Sequence, residues 1–422
     1  MKLDQYTLDN GLRVVLNEDH AAPLVAINVW YHVGSKDEKP GRTGFAHLFE
    51  HLLFSGSENV GNNEHFRYVQ SVGGILNGST TFDRTNYYET LPSNHLALGL
   101  WLESDRMGWF LPSITQEKLD VQREVVKEER RLRYDNAPYG TALEELLKIS
   151  YEPDYPYFWP TIGSMEDLGA ATLEDVKDFF RIWYVPNNAV LTLVGDFVPA
   201  EAKELIERYF GSIPRAADVP RSSPERKPWH TEKRGSITSP VQLPRVYRLY
   251  HLPRFGDPEW VAADLLAYVL SVGRASRLDR ALVYEKQIAQ DVGSFLLQTE
   301  ASGMMILVST AREGVDPAVL ADAIDEEISR LAIHGIEPSE LERARNQAET
   351  GYAHEIEAFS SRADLLNTFA TFTGDADDFE ALLASYREVT AEQIRSIAER
   401  FLRPDNRSTL WVLPESPEPE SR

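Results

Sequence analysis

Two histidines and a glutamate interrupt one apolar run, GFAHLFEHLLFSGS at residues 44–57. His47 and His51 are four positions apart, so on a helix both imidazoles lie on one face and can converge on a single ion. Glu50 falls between them, where it flanks the same ion without having to ligate it. A metal held in this way polarises a water molecule, and a neighbouring glutamate can take that water's proton. The alternative is an awkwardly polar core helix whose histidines are satisfied by backbone carbonyls. That reading buries three polar groups in an apolar stretch, which is costly wherever they lack partners.

Two histidines leave a catalytic zinc-type site one protein ligand short, because such sites normally have three and an open position. The chain has no cysteine, so the third ligand must be His, Asp or Glu. The acidic helical stretch TQEKLDVQREVVKEERRLRYDN, from Thr115, offers several glutamates. At about 100° per residue, an apolar stripe of Leu119, Val121, Val125, Val126 and Leu132 has its centre roughly 20° from Glu129. Glu128 lies about 80° and Glu124 about 120° from that centre. Glu129 is therefore the acid expected to face inward, with Gln122 one heptad earlier on its face. Glu124 and Glu128 are expected to be solvated or paired with Lys and Arg.

Elements able to position these groups can be read on either side. YTLDNGLRVVLNED carries an Asn-Gly turn between β-prone runs, a hairpin signal, and LVAINVWYHVGS follows as an apolar strand. The histidine run reads as helix, GGILNGSTTFDRTNYYETLP as further strand, and two long helices follow at about 93–110 and 115–135. TLEDVKDFFRIWYVPNNAVLTLVG, from Thr172, aligns without a gap on TAEQIRSIAERFLRPDNRSTLWVLP, from Thr390. Thr172/Thr390, Glu174/Glu392, Pro186/Pro404 and Asn188/Asn406 recur, and each copy reads as a Thr-capped helix, a Pro-Asn turn and a strand. The repeat predicts an α+β protein of two homologous domains, each an antiparallel-rich sheet packed with helices. Their expected extents are residues 1–213 and 236–414, with a Pro-rich, charged linker at 214–235 and a disordered tail at 415–422.

Composition narrows the function class. Of 422 residues 42% are hydrophobic and 26% charged, the balance of a soluble globular protein. A net charge of −23 argues against nucleic acid as a partner; it could favour basic peptides, its plainer role being solubility. No apolar run approaches the roughly 18–20 residues that span a bilayer. The N-terminal MKLDQYTLDN has no apolar signal core, so the chain as it stands reads as cytoplasmic, or periplasmic if a signal segment has been removed.

The order His47-x-x-Glu50-His51, followed 78 positions later by Glu129 in REVVKEERR, resembles the M16 (pitrilysin, or inverzincin) peptidase family. PGRTGFAHLFEHLLFSGS and GGILNGSTTFDRTNYYETLP are similar to that family as well, and the duplication extends the resemblance over essentially the whole chain. By length the chain resembles the two-domain subfamily that includes the mitochondrial processing peptidase subunits. The resemblance implies one zinc ion held by His47, His51 and Glu129, with Glu50 activating the attacking water. It also implies an edge strand, GILNGST, in which Asn77, Gly78 and Thr80 bind an extended peptide by backbone pairing. For Asn77 an Asn-Gly turn with no substrate role stands as the alternative.

Two departures from the family pattern matter. Many members carry a glutamate seven residues before the third ligand; Gln122, which stands there, can hydrogen-bond but brings no charge. The second-half Arg and Tyr that contact substrate are missing from FLLQTEASGMMILVSTARE at 295–313, where Glu300 and Val308 stand in the expected places. The resemblance then implies a homologous partner subunit that supplies the pair in a heterodimer, or else a homodimer. The expected function is that of a zinc-dependent endopeptidase subunit acting on extended or unfolded peptides. Its rivals are a non-catalytic structural subunit of an M16-like assembly and a zinc hydrolase of small molecules.

Overall fold

The computed structural model describes residues 1–221, 224–227 and 230–415. Of the predicted tail, residues 416–422 lie outside the described residues.

The Asn10-Gly11 turn joins β1 (Asp4–Thr7) to β2 (Arg13–Glu18) as an antiparallel hairpin, with Gly11 at φ 91°. Only glycine enters that region without steric cost, so the turn forms where the sequence signals it. The first sheet continues with β3 (Leu24–Tyr31), β4 (Ile75–Thr80), β5 (Thr85–Pro92) and β6 (Ala189–Gly195), in the order β1-β2-β6-β3-β5-β4. The second sheet holds β7 (Lys233–Ser239), β8 (Arg245–Leu252), β9 (Ala289–Leu297), β10 (Gly303–Ala311) and β11 (Arg407–Pro414), in the order β7-β11-β8-β10-β9. Apart from β1 the two orders are the same. In each sheet a single parallel pair, β2 with β6 or β7 with β11, sits among antiparallel neighbours. Strand β7 begins at Lys233, within the stretch read as linker.

Helices α1 (Phe45–Leu52), α2 (Glu64–Ser71), α3 (Leu96–Trp109), α4 (Gln116–Arg130), α5 (Ala142–Ser150), α6 (Met165–Ala170), α7 (Leu173–Trp183) and α8 (Pro199–Phe210) precede β7. After it come α9 (Trp260–Ser271), α10 (Pro317–His334), α11 (Pro338–Glu357), α12 (Phe359–Phe372), α13 (Asp378–Glu388) and α14 (Ala391–Phe401). The two compact units do not follow chain order. One is Met1–Arg130, Trp159–Ser222 and Tyr352–Ala381; the other is Arg131–Phe158, Ser223–Gly351 and Leu382–Arg422. Helix α12 thus belongs to the first unit, where it packs on β6 and β3, and α5 belongs to the second, where it packs on β11. In the first unit Ala363, Leu366 and Ala370 of α12 meet Val15, Ala26, Val190 and Val194 of the sheet. Each larger aliphatic side chain buried this way contributes about 1.5–3 kcal/mol.

The sequence repeat is repeated in its hydrogen bonds. Thr172 and Thr390 each cap a helix reciprocally with the residue three positions on, Asp175 and Gln393. Asn188 then donates to the Trp183 carbonyl at 2.7 Å and to the His32 carbonyl at 3.3 Å. Asn406 does the same with Phe401 at 2.8 Å and His251 at 2.7 Å. Both amides are buried, and each ties a helix end to the strand beside it. Asn406→Ala takes this donor from both carbonyls, and Asn188→Ala takes it from Trp183 while His32 keeps a bond from Arg221 at 2.7 Å, so each should destabilise by about 1–2 kcal/mol, read as a lowered thermal midpoint.

Candidate metal centre

Helix α1 carries two duties on eight residues. Phe45, Ala46, Leu48, Phe49 and Leu52 are buried, and Phe49 stacks on Tyr184 with ring centroids 4.9 Å apart. The Tyr87 hydroxyl donates to the Phe49 carbonyl at 3.0 Å, which pins the helix to β5. His47, Glu50 and His51 take the remaining arc and are half-buried. At the N-terminus the buried Glu38 carboxylate accepts from the Gly44 and Ala46 backbone N–H groups, both at 2.8 Å. Burial pushes the Glu38 carboxyl up, and these two donors pull it back. An anion at a helix N-terminus also offsets the positive end of the helix dipole. Gly44 starts the helix at φ 86°, and a Cβ on it would come within 2.7 Å of the Ile162 carbonyl oxygen.

Glu129 of α4 meets this helix. Its Oε2 lies 3.2 Å from His51 Nε2 and 3.7 Å from His47 Nε2. One donor atom from each of the three residues falls within 4.8 Å of the others, and among the described residues this is the one such cluster of three His, Asp or Glu. A tetrahedral zinc with arms of about 2.1 Å separates its ligand atoms by about 3.4 Å, so the spacing and the N/N/O chemistry both fit a zinc ion. The three side chains are 13%, 23% and 17% exposed for His47, His51 and Glu129, enough for a small molecule to reach the cluster from solvent.

Helix α4 differs from the stripe read in the sequence. Leu119, Val126 and Arg130 are its buried positions, whereas Val121, Val125 and Leu132 are exposed by 53%, 43% and 65%. The apolar residues therefore divide between a core face and a solvent face. Glu129 stands at the border of the buried arc, about 80° from its centre at 100° per residue, with Gln122 two turns earlier on the same face and half-buried. Glu124 is exposed and pairs with Lys127 at 3.0 Å, and Glu128 is also exposed.

Glu50 points to β4. The Thr80 hydroxyl donates to its Oε2 at 2.7 Å, a contact that sequence reasoning did not assign. Burial pushes the Glu50 carboxyl up and Glu129 adds to the rise, while the Thr80 bond, His51 and Arg84 act the other way. Gly78 gives Glu50 its room: a Cβ there would lie 3.2 Å from Glu50 Cγ and from Phe54 Cε2. Asn77 is exposed in mid-strand, opposite Tyr88 of β5, so it is not in a turn. Strand β4 is the last in its sheet.

A charged layer backs this arrangement. Arg106 of α3 lies over the Phe54 and Tyr87 rings at 4.7 and 4.3 Å and pairs with Glu103 at 3.0 Å. Glu89 of β5, also buried, shares the site, and burial followed by the charge of Glu103 pushes its carboxyl up to about 8. In the second sheet β8 holds the place of β3, and the helix after it, α9, reads WVAADLLAYVLS, with no histidine or glutamate.

Residues 13–152 match the family model described as Insulinase (Peptidase family M16), and residues 170–348 match Peptidase M16 inactive domain. The chain is 28% identical over 423 residues to "Zinc protease PqqE" of Helicobacter pylori, covering 98% of this chain and 93% of that protein. It is 25% identical to "Uncharacterized zinc protease YmxG" of Bacillus subtilis, covering 96% of each. Among solved structures, a protease from Helicobacter pylori superposes with a TM-score of 0.93 at 26% identity, over 98% of this chain and 99% of that one. The fold is also that of a putative M16-like peptidase from Alicyclobacillus acidocaldarius, with a TM-score of 0.85 at 22% identity over 98% of both chains. Among the described residues no helix is long and apolar enough to cross a membrane.

Three outcomes test this description. Zinc content of the purified protein should fall at least tenfold in Glu129→Ala and stay stoichiometric in Glu128→Ala; the reverse would reassign the ligand. Glu38→Ala should destabilise the protein by about 2–3 kcal/mol and weaken metal retention, because two buried N–H groups lose their acceptor. Glu89 is raised above its ordinary 4.5 by folding, so the stability it contributes is complete below that value and lost as pH climbs through about 8. Thermal midpoints from pH 5 to 9 should therefore show Glu89→Gln gaining on the parent protein as pH rises.

Proposed function

Because the chain belongs to the M16 peptidase family, we propose that it is a zinc-dependent endopeptidase subunit that hydrolyses extended or unfolded peptides. The observation that carries the proposal is the convergence of His47, His51 and Glu129 beside a carboxylate, Glu50, that ligates nothing itself. The names of the relatives, zinc proteases along nearly the whole of this chain, support the choice of metal and of reaction. Zinc, when bound by the two imidazoles and the Glu129 carboxylate, supplies Lewis acidity that polarises a carbonyl and acidifies water.

The chain's own groups do the rest. Glu50 takes a proton from the attacking water and returns it to the leaving amine. Thr80 engages one Glu50 oxygen and leaves the second for that transfer. Strand β4 is the outer strand of its sheet, and an extended peptide adds as a further strand along its open side, from Asn77 and Gly78 to Thr80. Gln122, two turns before Glu129 on the same helix face, can orient a ligand by hydrogen bonding without adding charge. The second-half positions read for the Arg and Tyr pair hold Glu300 and Val308, which favours a homologous subunit that brings the pair to the site.

Glu50→Gln should keep one zinc per chain yet lower kcat for a fluorogenic peptide by about 10²–10⁴-fold, the usual contribution of a general base. Full activity in that variant would remove Glu50 from the mechanism. The subunit proposal is checked by adding a co-purified homologue: the peptidase rate should rise at least tenfold, and an unchanged rate would dismiss the partner.

A further inference from the structure

The face of the first sheet covered by α12 carries polar groups as well as the apolar cluster of Val15, Ala26, Val190 and Val194. Asn28, Trp30 and Asn86 are all buried there. Their side-chain N–H groups converge on one carboxylate oxygen, Asp364 Oδ1 of α12, at 3.2, 2.9 and 2.9 Å. Asn28 and Trp30 are alternate residues of β3, and Asn86 of β5 stands opposite Trp30 in register, so the three donors share one sheet face. Burying the polar atoms of Asn28, Trp30 and Asn86 is costly unless they are matched, here by the half-buried Asp364 carboxylate, and an apolar patch would dock α12 as firmly at less risk. Packing alone therefore does not account for the cluster.

The cluster continues toward the metal centre. Arg84, in the loop from β4 to β5, lies over the Trp30 ring at 5.1 Å. Its Nη1 donates to Asn86 Oδ1 at 3.2 Å and to the Ser79 backbone carbonyl at 2.9 Å. The Ser79 hydroxyl donates to Asn86 Oδ1 at 2.7 Å. Ser79 precedes Thr80, whose hydroxyl holds Glu50. Strand β4 has a neighbour on one side only, so its end must be gripped from within the sheet if Thr80 is to hold its place. Of the groups that attract the Arg84 charge, Asp364 acts most strongly and Glu50 next.

We propose that Asp364 is a positioning residue for peptide hydrolysis. By ordering Trp30, Asn86 and through them Arg84, it locks Ser79–Thr80 at the end of β4 and so fixes the Glu50 carboxylate. The proposal rests on the reading of Glu50 as the base. It assigns a role in the reaction to a residue that lies more than two hundred and thirty positions beyond the metal ligands in sequence, roughly a full half of the chain away on the scale of a domain.

The test uses the full chain loaded with zinc and the same chain stripped of it. In the metal-free protein, Asp364→Ala should raise amide hydrogen exchange at least tenfold over residues 75–86 and leave residues 13–18 of β2 unchanged. In the loaded protein it should lower kcat for a fluorogenic peptide about tenfold at unchanged zinc content. Asp364→Asn, which keeps the oxygen acceptor, should restore most of that loss. Arg84→Met should lower kcat to a similar degree, and the double variant Arg84→Met, Asp364→Ala should be no worse than the poorer single one. Unchanged exchange over 75–86, or additive losses in the double variant, would overturn the proposal; should Asp364→Ala fail to fold, Asp364→Ser, whose short side chain cannot reach the three donors, takes its place in the same comparisons with Arg84→Met. If Glu50→Gln is fully active, the reading of the base fails instead, and the exchange result still judges whether Asp364 locks β4.

Discussion

The carboxylate of Glu38 holds the helix on which the site depends. Helix α1 has eight residues, too few to be stable in water without tertiary support. It has to bury five apolar side chains and still present two imidazoles and a carboxylate toward solvent. Two buried N–H bonds to one anion fix where its first turn begins, and Gly44 against residues 162–163 fixes its direction. A shift of one residue would rotate the helix by about 100° and turn His47 and His51 into the core. Everything at the metal centre inherits its place from that start.

The duplicated architecture then shows what a site adds to a fold. Both sheets have the same strand order, the same parallel pair and the same asparagine tying helix to strand. At the place of the histidine helix the second copy carries α9, buried along nearly its whole length. That copy keeps the frame and drops the donors, in line with its match to an inactive domain. The first copy bears the corresponding burden: Glu38, Glu103 and Arg106 are buried ionisable groups around the histidine helix, held by bonds or ring contacts that an apolar core would not need, and the Glu89 carboxyl is buried beside Glu103.

Much of this was legible in the chain itself, for identifiable reasons. A spacing of four on a helix is enough to pair His47 with His51, and Thr, Pro and Asn at matched offsets reveal the repeat because each has a fixed conformational task. Glu129 could be singled out by angle, although the reason was incomplete. Val121, Val125 and Leu132 are apolar yet face solvent, so hydrophobicity marked the wrong centre for the helix, and Glu129 lies at the border between its two faces. Glu38 and Asp364 gave no signal, because their partners are backbone groups or residues far along the chain. The bond from the Thr80 hydroxyl to Glu50 gave no signal either, since nothing in a strand sequence tells which way a hydroxyl turns. The exchange of α5 and α12 was also hidden, because amphipathic patterning says that a helix covers a sheet without saying which one.

That exchange has a consequence for how the protein is made. The sheet beside the candidate metal centre is complete in sequence at Gly195, but the helix that covers one of its faces ends at Phe372. Chains are synthesised from the N-terminus and domains tend to fold as they emerge, yet here the first unit has to wait, with Val15, Ala26 and Val190 uncovered, until most of the second sheet has been translated. If Asp364 locks β4 as proposed, the last group needed to align the base is among the late arrivals at the ribosome. On that reading the site stays unfinished until the chain has emerged past Asp364.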